Sequence, residues 1–166
     1  VGAEGVHWWN VEKTRRRDGE VVLFIRRRDG NLLLHTKDFY PERALRVPSG
    51  GIKPGEAVLD ALQREVAEET GLEVQVERFL VLVEFTLRIG TVCLDYPSYS
   101  FLLRELAGEL ATADRDEHIA AFSEVALEDL GQVAAALKGL TGEWREWGAF
   151  RAIPHGLAAQ VLTQRS

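Results

Sequence analysis

The chain has 166 residues, 46% of them hydrophobic and 28% charged, with a mean hydropathy of -0.12, a make-up that fits one globular domain with a sizeable core. A formal net charge of -6 speaks against nucleic-acid binding through a basic surface, and no apolar run is long enough to span a bilayer. Cys93 is the only cysteine, which excludes an intramolecular disulfide and a cysteine-rich zinc site.

Val1 to Asn10 lacks the charged-then-apolar pattern of a signal peptide, so the expectation is a cytoplasmic protein without a membrane partner. With no repeat, low-complexity tract or linker, residues 1–166 read as a single domain. A first strand is expected from about His7 to Arg16, followed by a turn at Asp18-Gly19. Val21 to Arg26 is β-branched and apolar enough for a strand. Asp29-Gly30-Asn31 then marks a tight turn, and Leu32-Leu33-Leu34 resumes as its hairpin partner. Ala44 to Val47 reads as a short strand running into Pro48-Ser49-Gly50-Gly51, which the composition assigns to irregular structure. A helix is expected from Gly55-Glu56 to about Thr70, closed by a left-handed Gly71. Val74 to Leu87 predicts one long or bent strand; Thr91 to Asp95 and Tyr99 to Leu106 follow as strands broken at Tyr96-Pro97. Leu127, Leu130, Ala134 and Leu137 fall at helical spacing before Gly139. A last helix is expected to begin near Pro154, with Leu157, Val161 and Leu162 facing inward. Strands with interspersed helices predict an α/β fold, a mixed sheet covered on both faces.

The segment that carries chemistry is GGIKPGEAVLDALQREVAEETGL, Gly50 to Leu72. Glu65, Glu68 and Glu69 stand at i, i+3 and i+4, so their side chains converge on one helix face. Their mutual repulsion asks for a compensating charge, and an all-oxygen set suits a hard cation such as Mg²⁺ or Mn²⁺. A bare E-x-x-E-E more often marks a solvated face, so angular position matters. At about 100° per residue, Val58, Leu59, Leu62 and Val66 form one apolar stripe. Glu69 falls within its edge, and Glu65 and Glu68 lie just outside, while Asp60, Arg64 and Ala67 lie opposite. The carboxylates are therefore expected to be partly buried, where unpaired charge is costly. Ala57 and Ala61, on the same side, would leave room for a ligand. Gly50, Gly51 and Gly55 permit close backbone approach to a ligand, and a helix N-terminus favours an anion such as a diphosphate.

Taken together these residues resemble the Nudix box, G-x5-E-x7-R-E-U-x-E-E-x-G-U with U aliphatic. Gly50, Glu56, Arg64, Glu65, Val66, Glu68, Glu69, Gly71 and Leu72 fill every specified position, and Pro48-Ser49 is similar to the family's Pro-Gly lead-in. The resemblance implies a Nudix-type α/β/α sandwich and a hydrolase in which water attacks one phosphorus of a nucleoside diphosphate derivative. It implies Mg²⁺ or Mn²⁺ as cofactor, held by Glu65, Glu68 and Glu69 with a main-chain carbonyl at Ser49 or Gly50. Arg64 would orient the glutamates, and Glu56 would support the loop or reach the metal through water. Gly50 and Gly51 would approach the substrate. The general base is left open among Glu68, Glu69 and Glu117, with His118 beside it and an exposed acidic loop as the plainer reading of both. Homodimers are common in the family, so a homodimer is a further expectation.

Substrate choice is less legible. ADP-ribose hydrolases resemble one another in a proline at a set distance past the box glycine, where this chain has Thr86-Leu87, and the dinucleoside polyphosphate, NADH and coenzyme A marks are also missing. Arg15-Arg16-Arg17 and Arg26-Arg27-Arg28 either line a substrate pocket, with Arg26 and Arg28 on one face, or protect a solvated hairpin edge. Trp8, Trp9, Phe39 and Tyr40 could stack on a base, although large aromatics are more often packing. Trp144 and Trp147 are expected to dock the C-terminal segment, and Cys93 to be a small buried apolar residue. The alternative function is a non-catalytic Nudix-fold nucleotide sensor, which intact glutamates argue against. A prenyl diphosphate isomerase is more remote, since only Cys93 could serve as its cysteine acid.

Overall fold

The computed structural model describes residues 11–111 and 115–164. In chain order the elements are α1 (Val11–Arg15), β1 (Gly19–Arg26), β2 (Leu32–Lys37), β3 (Ser49–Ile52), α2 (Val58–Thr70), β4 (Leu72–Ile89), β5 (Val92–Gly108), β6 (Ile119–Val125), α3 (Leu130–Lys138) and α4 (Arg145–Thr163). Six strands form one mixed sheet in the order β4-β5-β1-β2-β6, with β3 also paired to β1. β1 runs parallel to β5 from Glu20 opposite Ser98 to Arg26 opposite Arg104, and every other pairing is antiparallel.

β1 is buried along both faces because the sheet is covered on both sides. Its alternate residues Val21, Leu23 and Ile25 pack under Ala61, Leu62 and Val66 of α2. Val22 and Phe24 face the other way, toward Leu130 of α3 and Ala158 of α4. The result is the expected α/β/α sandwich, and each such aliphatic side chain contributes about 1.5–3 kcal/mol by leaving water. Gly71 ends α2 in the left-handed region at φ 67, which frees its N–H to bond the Ala67 carbonyl. The Asp29-Gly30-Asn31 turn forms as expected, with Arg26 opposite Leu32 and the Asn31 N–H donating to Asp29 Oδ1 at 2.9 Å.

Several expectations are corrected. Residues 11–15 are helical, not extended; Trp8, Trp9 and the start of that expected strand lie outside the described residues, as does Asp114. Ala44 to Val47 makes only one isolated bridge, Arg46 to His35, and the strand is β3 itself. Ser49-Gly50-Gly51 is regular because β1 offers a paired edge, Val22 opposite Ser49 and Glu20 opposite Gly51, and tertiary pairing overrides weak local propensity. β5 is continuous through Pro97, which lies opposite Glu84 on β4. Pairing with β1 starts only at Ser98, so the missing proline N–H faces a side with no ladder to break. α4 begins at Arg145, nine residues before Pro154. Burial of Trp147, Phe150 and Ala158 on both sides of the proline holds the helix through it. Leu59 is exposed and Ala61 is packed in the core, so the apolar stripe of α2 runs through Val58, Ala61, Leu62 and Val66. Cys93 is exposed near the tip of the β4–β5 hairpin.

Candidate functional site

α2 presents its acidic face to β3. Glu65 and Glu69 are buried, at 6% and 0% exposure, whereas Glu68 keeps a 39% exposed side chain. Arg64 collects the group. Its Nε and Nη2 donate to the two Glu56 oxygens at 2.8 Å each. Nη1 donates to Glu65 Oε1 at 2.7 Å and Glu68 Oε2 at 3.3 Å, and Nη2 reaches the Gly51 carbonyl at 2.9 Å. These charge-assisted bonds fix helix to strand. Hydrogen bonds from Arg64 hold the Glu56 carboxyl down at about 2, and Glu56 in turn accepts the Lys53 N–H at 2.9 Å, which shapes the turn before α2. A Cβ on Gly50 would fall 1.8 Å from the Glu65 carboxyl carbon. Glycine is therefore required where β3 passes Glu65.

Glu69 sits deeper. Its Oε2 accepts the Ser49 N–H at 3.1 Å, while Oε1 has no hydrogen-bond partner among the described residues and lies 3.7 Å from Lys37 Nζ. Burial pushes its carboxyl up to about 8 against the pull of Arg46 and Lys37. Burial likewise raises Glu65 despite Arg64. Glu117, in a short 3-10 turn at Arg115–Glu117, is half-buried. Burial alone would raise it, but the 2.8 Å bond from Lys37 Nζ, the charges of Lys37 and Lys13 and the neighbouring Glu69 together outweigh this and hold the carboxyl below its ordinary value.

Beside these carboxylates opens a cleft of about 160 Å³. Its walls bring together the cations Lys13, Arg17, Lys37, Arg46 and Arg151, the carboxylates Glu20, Glu65 and Glu117, the strand residues Ser49 and Gly50, and an aromatic side of Phe39, Tyr40 and Trp147. Arg151 is anchored by Glu20, to which it donates at 2.8 Å, and Ser98 donates to the other oxygen of Glu20 at 2.9 Å.

Of the residues singled out in the sequence, Ser49, Gly50, Glu65 and Glu117 line this cleft, as do the candidate stacking residues Phe39 and Tyr40. Glu69 meets it through Lys37 and Ser49, and Glu56, Arg64, Glu68 and Gly51 form the network beside it. His118 does not line the cleft; it is mostly exposed and faces Asp38 at 3.2 Å. The Arg26-Arg27-Arg28 run belongs to the far end of β1, where Glu77, Glu105, Glu124 and the Leu106 carbonyl take its guanidinium groups. Of the first run, Arg17 alone reaches the cleft. Trp144 and Trp147 pack against Tyr40, as a docking role requires, and Trp147 also faces the cleft. Sequence reading missed Lys37, Arg46 and Arg151, single cations on separate elements with no motif to join them.

With these side-chain positions, no three acidic, histidine or cysteine residues among those described stand together closely enough to hold an ion. Arg64 takes Glu65 Oε1 and Glu68 Oε2, and Lys37 lies against Glu69. The donor set is nonetheless all oxygen, and Oε1 of Glu69 is a buried acceptor that has no hydrogen bond, only the 3.7 Å ion pair with Lys37.

A glycine-bearing strand leading into an acidic helix on an α/β/α sandwich defines a class of protein, and direct comparison gives its family. The NUDIX domain model matches residues 15–147, and the chain belongs to the Nudix family. Solved structures share the fold. An ADP-ribose pyrophosphatase from Streptococcus suis 89-1591 is 19% identical at a TM-score of 0.56, over 89% of this chain and 92% of that one. A NUDIX hydrolase from Nitrosomonas europaea is 23% identical at a TM-score of 0.54, over 72% and 78%. A UDP-X diphosphatase is 23% identical at a TM-score of 0.51, over 66% of this chain and 50% of that one, so this chain spans half its length. Among the described residues no helix is long and apolar enough to cross a membrane.

Proposed function

We propose that this Nudix-family chain is a divalent-cation-dependent hydrolase that splits the diphosphate linkage of a small nucleoside diphosphate derivative. The observation that carries the reading is Glu69, a fully buried carboxylate with an orphan oxygen, set beside Glu65 at the edge of a cation-lined cleft. Glu65, Glu68 and Glu69 are the residues that would hold Mg²⁺ or Mn²⁺, joined by a main-chain carbonyl at Ser49 or Gly50. Bound there, the ion neutralises phosphate charge and lowers the pKa of the attacking water.

The chain's own residues divide the remaining work. Arg64 and Glu56 hold the acidic face against β3. The cleft cations attract and orient the diphosphate. Glu117, kept ionised by Lys37, is the base we assign to take the proton of the attacking water. Phe39, 53% exposed at the rim, offers an apolar ring face to a base. Among the nucleoside-containing substrates of the solved relatives are ADP-ribose and UDP-X compounds, so both classes belong in the test.

The test is a phosphate- and nucleotide-release panel of nucleoside di- and triphosphates, ADP-ribose, nucleotide sugars, dinucleoside polyphosphates, NADH and coenzyme A. It is run with Mg²⁺, Mn²⁺ and EDTA beside a Glu69→Gln control. Turnover of one class that needs the metal and disappears in the control is the expected result. Silence across the panel, together with tight binding of one nucleotide, would replace the hydrolase with the sensor.

A further inference from the structure

The cations of the cleft are unequally compensated. Arg151 is paired with Glu20 and Lys37 with Glu117, each at 2.8 Å. Arg46 is 3% exposed, yet its hydrogen-bond partners are all neutral. Nε donates to the Tyr40 hydroxyl at 2.8 Å, and Nη1 donates to the Val47 carbonyl at 2.9 Å and to Ser49 Oγ at 2.8 Å. No ion pair joins Arg46 to a carboxylate among the described residues, and none of these bonds uses Nη2. A buried guanidinium without a counter-ion is unfavourable, and this one lines the cleft.

Its surroundings also hold it still. The guanidinium carbon lies 5.6 Å from the centre of the Tyr40 ring, and that ring is wedged against Trp147 at 4.7 Å and Trp144 at 6.0 Å. The carboxyl nearest along its bonds is Glu69, reached through Ser49, whose hydroxyl accepts from Arg46 and whose N–H donates to Glu69. A cation bound to Glu69 would remove even that compensation. A preorganised cation fixed by neutral groups is suited to an anion that arrives with the ligand.

We propose that Arg46 is an anion-binding residue of the site, taking a phosphoryl group of the substrate through the free end of its guanidinium. The inference rests on the diphosphate-hydrolase reading for its substrate. The alternative role, a structural clamp on residues 46–49, needs no anion.

The experiment is calorimetric titration of inorganic pyrophosphate into the full chain in EDTA, for wild type, Arg46→Gln, Arg46→Lys and Tyr40→Phe. Saturable binding to wild type is expected, weakened about thirtyfold in Arg46→Gln, the size of a lost charge-assisted contact. Arg46→Lys keeps the charge but loses the fork and falls between. Tyr40→Phe keeps the ring and removes the acceptor that aims Nε, weakening binding a few-fold; it serves if Arg46→Gln does not fold. Unchanged affinity in folded Arg46→Gln, or in both other variants, overturns the proposal, as does wild type that binds no pyrophosphate. The two readings fail separately. Pyrophosphate binding through Arg46 with no turnover in the substrate panel sinks the hydrolase alone. Metal-dependent turnover that Arg46→Gln carries out with wild-type KM sinks the anion site alone.

Discussion

Ser49 donates its main-chain N–H to Glu69 Oε2 at 3.1 Å, tying the start of β3 to the last turn of α2. One oxygen of Glu69 is thus spent on the fold, and the other, 3.7 Å from Lys37 Nζ, is the one the proposed function gives to the metal. Glutamine at this position retains an acceptor for Ser49 but cannot carry the charge a metal needs. Glu69→Gln is expected to fold normally and to lose at least about a hundredfold in kcat, the scale on which metal-supported charge stabilisation acts. Circular dichroism with steady-state kinetics checks both halves; near-normal turnover refutes the assignment.

The same carboxyl gives a pH signature in metal-free protein. Its folded value, about 8, lies above the ordinary glutamate value of 4.5. The contribution of Glu69 is therefore fully present below 4.5 and is lost as pH rises through 8, where a buried charge must form. In EDTA, the melting temperature of wild type should fall between pH 6 and 9 more steeply than that of Glu69→Gln. Parallel curves would mean that Glu69 ionises as an ordinary carboxylate does.

Arg64 makes five hydrogen bonds to Glu56, Glu65, Glu68 and Gly51, a geometry only a planar fork can supply. Arg64→Lys keeps the charge and can satisfy only part of this set. It is expected to lose about 2 kcal/mol of stability and to weaken Mn²⁺ binding, because Glu65 and Glu68 are no longer held against β3. Urea unfolding and Mn²⁺ electron paramagnetic resonance test the two effects. Wild-type metal affinity in a destabilised variant would make Arg64 purely structural.

The acidic helix and its glycines were legible in sequence because their chemistry lies within one short stretch and follows helical spacing. The hairpin at Asp29-Gly30-Asn31 was legible for a similar local reason. The cleft was not. Lys37, Arg46 and Arg151 come from β2, the loop after it and α4, and only the sheet order makes them neighbours. Pro97 and Pro154 misled in the same way: each breaks a local rule, and each is tolerated because neighbouring elements supply pairing or packing that composition does not record. Gly50 reads in sequence as loop-forming, yet its reason for being there is the Glu65 carboxylate.

That relationship can be tested directly. A Cβ at residue 50 meets the Glu65 side chain well inside van der Waals contact, at 1.8 to 2.3 Å. Gly50→Ala must therefore displace Glu65 and break its bond to Arg64. Turnover is expected to fall by at least about a hundredfold, with a stability loss of about 1–3 kcal/mol from overpacking. A Gly50→Ala protein with wild-type kcat would show that Glu65 is not needed where it stands.

His155 links the C-terminal helix to the segment entering the site. Its Nε2 accepts the Val47 N–H at 3.1 Å and its Nδ1 faces the Arg151 carbonyl at 2.7 Å, so the neutral tautomer with the proton on Nδ1 satisfies both. Burial lowers its pKa from 6.5 to about 3. Unfolded chains take up a proton below pH 6.5 and the folded protein does not, so the contribution of His155 is present above 6.5 and is lost as pH falls toward 3, at up to about 1.4 kcal/mol per pH unit. Urea midpoints should drop across that window in wild type. His155→Gln can still accept from Val47 but does not titrate, so it should show a shallower fall even though it is less stable at pH 7. Equal slopes would place the acid sensitivity elsewhere, with His35, the other buried histidine among the described residues, whose pKa burial also depresses, as the next candidate.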